Sequence, residues 1–320
     1  MTESAPAADP WLPDQILYQV FPDRFAIGRG QTVAGKISAG LYGPGAAARS
    51  WDELPATAPN INPHEFFGGD LWGVIERLDY LQDLGVTGLY LTPIFTAPSN
   101  HKYDTLDHES VDPAFGGDEA FTALAAEAQT RGLALILDGV FNHISQSHRW
   151  NTREEYADRL LTLGGERQYW WGHASLPELD LGSRAVRDYF LGPEGVVRRW
   201  LRRGARGWRL DTGQDLGRAF VRAVRDAARA ERPDAAVFPE LVGFADDWVR
   251  EDGGGAGADG VMNYYSRTAI LDYARGDISA RLAGAAFDDV YARFGHDATL
   301  RSWNMQGSHD MDRTRTHLGS

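Results

Sequence analysis

The sequence predicts an α/β protein whose parallel strands close into a barrel. Three observations carry this. Short apolar runs of strand length recur along the 320 residues. Helical patterns separate them, and alternation of that kind argues for a parallel sheet covered by helices. Acidic residues stand at the ends of several runs, and a barrel would gather those ends on one rim. The competing architecture is an open, doubly wound sheet with a dinucleotide site, which carries a Gly-rich turn after its first strand. The stretch "ILYQVFPDRF" offers no such turn.

The elements follow in order. "ILYQVF" (Ile16–Phe21) is the first strand, and a Gly/Pro-rich loop extends from about Ala26 to Gly69. In "LWGVIERLDYLQDLG", Leu71, Val74, Ile75, Leu78, Leu81 and Leu84 share one helical face. "VTGLYL" (Val86–Leu91) is a strand, Asp118–Thr130 a helix, and "LALILD" (Leu133–Asp138) a strand buried on both faces. Irregular, aromatic sequence then runs from Phe141 to Leu181. A helical stretch from Ser183 delivers the chain to the strand "RGWRLD" (Arg206–Asp211), where Trp208 reads as packing. Asp215–Ala230 is helical, and "AAVFPE" (Ala235–Glu240) is a strand. "ADGVMN" (Ala258–Asn263) and "TLRSWN" (Thr299–Asn304) are the expected sixth and seventh strands.

Composition narrows the function classes. Hydrophobic residues make up 43% of the chain, enough for a large core. The net charge of −13, without a basic run, argues against a nucleic-acid partner. There is no cysteine, which excludes disulfides and thiolate metal sites. The start "MTESAPAADPWLPDQ" has neither the basic nor the apolar region of a signal peptide, and no apolar run approaches a membrane span. A cytoplasmic protein without a membrane partner is expected; these patterns say nothing of oligomeric state. Ten tryptophans and twelve tyrosines suit either core packing or stacking on sugar rings, and the Trp170–Trp171 pair is open to both readings.

The acids carry the chemistry. Asp138, Asp211 and Glu240 end strands, "SWNMQGSHD" reaches Asp310, and Arg209, His143 and His309 stand close by in the sequence. Two carboxylates flanking a bond suit glycoside hydrolysis, one as acid and one as nucleophile or base. A metal-dependent barrel hydrolase would need a histidine cluster on its strands, and the first strand has no His-x-His. A sugar-binding barrel without catalysis is the third class.

At this point the motifs resemble the α-amylase superfamily of retaining glycoside hydrolases, and most of all its neopullulanase, cyclomaltodextrinase and maltogenic amylase branch. "DGVFNH", "GWRLDTGQD", "VFPELVG" and "QGSHDMDR" stand in the family's order, with "ILYQVFPDRF", "HKYDT" and "LPELD" (Leu176–Asp180) beside them. The likeness runs from about Asp14 to Arg313. It implies a (β/α)8 TIM barrel with a small lobe inserted after the third strand. The expected division is a tail over 1–13, barrel over 14–138, lobe over 139–182 and barrel again over 183–320. About seven strands are legible, so the eighth strand and a C-terminal β-domain are expected to be lacking, and the activity of the 320 residues alone to be low or absent.

The resemblance also implies roles. Asp211 would be the nucleophile, Glu240 the general acid and base, and Asp310 the group gripping sugar hydroxyls. Arg209 would keep Asp211 ionised, Tyr103 would stack beneath the sugar, and His143 and His309 would donate to its hydroxyls. Asp104 and Asp138 would be structural. The implied substrate is an α-glucan: maltooligosaccharides, cyclodextrins or pullulan. The departures are Pro239 before the acid, Thr212-Gly213 after the nucleophile and His108 in place of Tyr. The loop "AIGRGQTVAGKIS" lacks the Asn/Asp cluster of the branch's calcium site. Asp70 and Asn142 supply too few oxygens for calcium, so no cofactor and no tight calcium site at that loop are expected.

Overall fold

The computed structural model describes residues 12–57, 62–249 and 257–319. The expected tail therefore lies outside the described residues up to position 11. The chain forms two compact units, Ile16–Asp211 and a second made of Thr212–Ser320 with the residues preceding Ile16.

The first unit is built on four parallel strands, β1 (Leu17–Val20), β2 (Gly88–Leu91), β3 (Ala134–Gly139) and β4 (Gly207–Leu210), paired in that order. All residues of β2, β3 and β4 are buried, as strands covered on both faces require. Between β1 and β2 lie α1 (Val33–Ser38), α2 (Leu71–Glu76) and α3 (Leu78–Asp83). The expected single helix over 71–84 is thus two. Arg77 leaves helical geometry at φ −108°, ψ 5°, and Leu84 ends exposed. Helix α4 (Gly117–Thr130) crosses from β2 to β3, and α5 (Arg184–Leu191) with α6 (Val196–Arg202) precedes β4. Trp200, Trp208, Phe95, Phe141 and Phe190 are buried and pack against one another, so Trp208 is core. Residues between β3 and α5 form short helical turns and a two-residue hairpin, tied back by bridges His143–Glu178 and Leu160–Leu179.

The second unit holds α7 (Gly213–Glu231), β5 (Ala236–Pro239), α8 (Tyr264–Arg275), α9 (Ala280–Phe294) and α10 (His296–Arg301). Asp259 organises it: its carboxylate takes Arg225 Nε at 3.0 Å and Val237 N at 2.9 Å, while Asp259 N donates to Val237 O. The expected sixth and seventh strands are corrected here. They reduce to one parallel bridge, Met262–Trp303, and the first half of the presumed seventh strand is helix, which ends at Arg301. Gly295, at φ 79°, breaks the chain after α9, and α10 restarts at once with Asp297 in its first turn and Arg301 in its last, a charge order favourable to the helix dipole. Thr299, read as β-branched strand sequence, returns its hydroxyl to Gly295 O at 2.8 Å. Among the described residues no helix is long and apolar enough to cross a membrane.

Candidate active site

The register of the first unit sets the site. Arg209 of β4 stands directly opposite Asp138 of β3. Arg209 and Asp211, two residues apart on an extended chain, share a face. Arg209 Nη1 consequently meets both acids: 2.8 Å and 3.0 Å to the oxygens of Asp138, and 2.9 Å to Asp211 Oδ1. The arginine is 1% exposed and Asp211 6%. Burial disfavours the guanidinium charge, but the field of Asp138, with Tyr90, Tyr103 and Asp211 behind it, raises its pKa well above the usual value. The cation is permanent, and it favours the ionised form of the carboxylate it touches.

Asp138 is held from two further directions. Tyr90 donates its hydroxyl to Oδ2, and Tyr103 does so at 2.9 Å. Burial raises both phenol pKa values far above normal, so both remain donors. Tyr103 sits beside Lys102, a non-glycine residue in left-handed backbone (φ 64°), whose buried ammonium bonds Ala97 O at 2.8 Å and Asp112 Oδ2 at 2.7 Å. Such strain persists only where surrounding contacts hold it, and here they hold the loop presenting Tyr103. Neither Tyr90 nor Lys102 stands out as a site residue in the sequence; the tyrosine inside the apolar run "GLYL" is the available signal.

His143 places Nε2 3.9 Å from Asp211 Oδ2. Burial, with the nearby His108 and His101, lowers its pKa to about 3, so it is neutral. Its ring stacks on Trp170 at 5.1 Å, and Trp170 stacks on Trp171 at 5.6 Å. Trp171 is 80% exposed with left-handed backbone, φ 48°. An aromatic stair thus leads from solvent to the carboxylate. His108, in place of the family's tyrosine, is buried and bonds Val140 O at 2.8 Å. Asp104, next to Tyr103 in the chain, takes the hydroxyl of Ser99.

Glu240, His309 and Asp310 belong to the second unit. Glu240, half-buried after β5, receives Thr212 N at 3.2 Å on Oε2 and the Tyr264 hydroxyl at 3.3 Å on Oε1. Two departures from the family pattern meet here. Thr212 is left-handed (φ 47°), a strained state for a β-branched residue. Gly213 lies so close to the strand end that a Cβ would fall 2.6 Å from Pro239 Cβ and 2.8 Å from Glu240 O. Gly213 N in turn donates to Glu240 O at 2.9 Å. Asp310 is exposed, with His309 Nε2 3.3 Å from its Oδ2. Arg267 grips the surrounding loop by its backbone, at Gln306 O and Asp312 O.

A parallel α/β scaffold carrying an arginine-bridged carboxylate at a strand's C-terminal end fits a (β/α)8-type fold with a rim site. Comparison with known proteins makes this specific: residues 19–160 match the α-amylase catalytic domain. The cyclic α-maltosyl-(1→6)-maltose hydrolase of Arthrobacter globiformis superposes with a TM-score of 0.85 at 31% identity, over 97% of this chain and 69% of that one. The chain belongs to the α-amylase family. It is 34% identical to the intracellular maltogenic amylase of Bacillus subtilis, over 97% of this chain and 51% of that protein. It is 33% identical to neopullulanase 2 of Thermoactinomyces vulgaris, over 97% and 52%. The chain thus spans about half the length of the curated relatives it matches.

Proposed function

We propose that the chain carries the catalytic centre of a retaining glycoside hydrolase acting on α-glucans. The observation behind this reading is the single Arg209 nitrogen shared by Asp138 and Asp211, which favours an ionised nucleophile in a buried setting. In the first step Asp211 attacks the anomeric carbon while Glu240 gives its proton to the departing glycosidic oxygen, leaving a glycosyl ester on Asp211. In the second step Glu240 takes a proton from water, whose oxygen attacks the same carbon and releases Asp211. Two inversions give retention. Asp310, His309 and His143 grip sugar hydroxyls, and Tyr103 offers its ring face to the sugar. The names of the related hydrolases support maltooligosaccharides, cyclodextrins or pullulan as substrates, and the likeness to an intracellular maltogenic amylase supports a cytoplasmic location.

The test compares the chain with Asp211→Asn on these three substrates, following the product anomer by NMR. Turnover by the parent, however low in the 320 residues alone, should release the α-anomer first, and Asp211→Asn should abolish it while still binding glucan. An inverted first product removes the nucleophile role from Asp211. Binding without turnover in both forms favours a glucan-binding module instead.

A further inference from the structure

Lys36 lies on the short helix α1, in the loop where the family resemblance implies a calcium ion, and it is 3% exposed. Thr32 caps that helix by accepting Gly35 N at 3.0 Å, which fixes the lysine's direction. The Lys36 ammonium has three donors and three acceptors: Asp70 Oδ2 at 2.6 Å, Gly68 O at 2.7 Å and Ala114 O at 2.8 Å. Those acceptors come from two separate segments: the turn that leads through the cap residue Asp70 into α2, and the turn before α4. The other oxygen of Asp70 is occupied as well, accepting Gly73 N at 2.7 Å and Gly28 N at 3.1 Å.

Calcium takes six to eight oxygens at about 2.3–2.6 Å. The oxygens gathered here are two carbonyls and one carboxylate oxygen, and all three are already bonded to an ammonium. The packing leaves little slack: a Cβ on Gly28 would lie 2.4 Å from Gly73 N, and one on Gly69 would lie 2.0 Å from Pro22 O. A divalent ion does not fit these residues.

We propose that the Lys36 ammonium stands where the family resemblance implies calcium, so that a covalently supplied monovalent cation ties this loop to α2 and α4. The cation is present in every folded molecule, and the tie does not depend on free metal. The proposal concerns the loop's architecture and is independent of the reaction assigned above.

The experiment follows thermal and urea unfolding of the full chain by circular dichroism, in EDTA and in millimolar calcium chloride, with elemental analysis after desalting. The parent should unfold identically in both media and retain no stoichiometric calcium. Lys36→Met leaves Asp70 a buried, unpaired carboxylate and should lower the folded-to-unfolded ratio roughly 100-fold or more, as loss of one partner of a buried pair does. Lys36→Met with Asp70→Asn removes both charges, keeps a capping residue at 70, and should recover a large part of that loss. Calcium that stabilises the parent, EDTA that destabilises it, or one retained calcium per chain overturns the proposal. So does Lys36→Met unfolding like the parent. If Lys36→Met does not fold, the double variant and the two media for the parent still decide.

Discussion

Two of the buried cations in the first unit share one problem and solve it differently. Arg209 and Lys36 are each almost fully inaccessible, and each must be compensated, because an unpaired buried charge is prohibitively costly. Arg209 is paired twice, with one nitrogen between two carboxylates. Lys36 is paired once and otherwise satisfied by backbone carbonyls from separate segments. A planar, permanently charged guanidinium suits a place where one acid must be presented and the other must hold the presenter. A compact ammonium suits a junction, where a point charge can gather oxygens from any direction. The lesson is that an excess of negative partners marks a place where charge is used, whereas a neutralised cation marks a place where charge is only spent on cohesion.

Replacement at each cation breaks or sharpens this contrast. The largest effect is expected for Arg209→Met: turnover on maltooligosaccharides should fall about 100- to 1,000-fold, the scale for losing a preorganised charged donor. The drop should be far greater in kcat than in KM. Arg209→Lys should recover little, since one ammonium cannot reproduce the fork. Next in size, Gly213→Ala should destabilise the chain by about 2 kcal/mol or more in urea titration, because a new Cβ must push the strand end away. An intermediate effect concerns pH. Burial lowers the pKa of His143 and His148 to about 3 and of His108 to about 4. These histidines are neutral in the folded chain, whereas the unfolded chain takes up their protons below about 6.5. Their stabilising contribution is therefore full above that pH and declines as pH falls toward 4. At pH 5 the loss is about 2 kcal/mol for each histidine. His148→Asn keeps the cap on Trp150 N and should remove about one third of the histidine part of that slope, read from urea midpoints between pH 7 and 5. The smallest effect belongs to Trp171→Ala. Loss of one stacking face should raise KM several-fold for long glucans and leave kcat for maltotriose unchanged, consistent with about 1 kcal/mol of stacking. Equal values for parent and variant on every chain length would reduce the aromatic stair to packing.

The contrast also explains what the sequence could tell. Asp138, Arg209 and Asp211 were legible because they close apolar runs, and the parallel register then forces them together. Tyr90 was hidden because a tyrosine in a strand reads as core, and only the register shows its hydroxyl meeting Asp138. Lys36 was hidden because a lysine in a Gly-rich loop reads as solvated, and its three acceptors lie 32, 34 and 78 residues away in the chain. The strand expected over 299–304 failed for the opposite reason. Its local pattern was short, and Gly295 together with the Thr299 hydroxyl let a helix take the residues first.

The close approach at Gly213 has a consequence for heredity. A side chain at 213 would collide with the ring of Pro239 and the carbonyl of Glu240, while Gly213 N needs that same carbonyl as its acceptor. The two positions therefore cannot drift separately. A lineage that restored a larger residue at 213 would first have to reshape the strand end at 239, and an engineer moving this strand end into another scaffold would have to carry Thr212, Gly213 and Pro239 as one cassette.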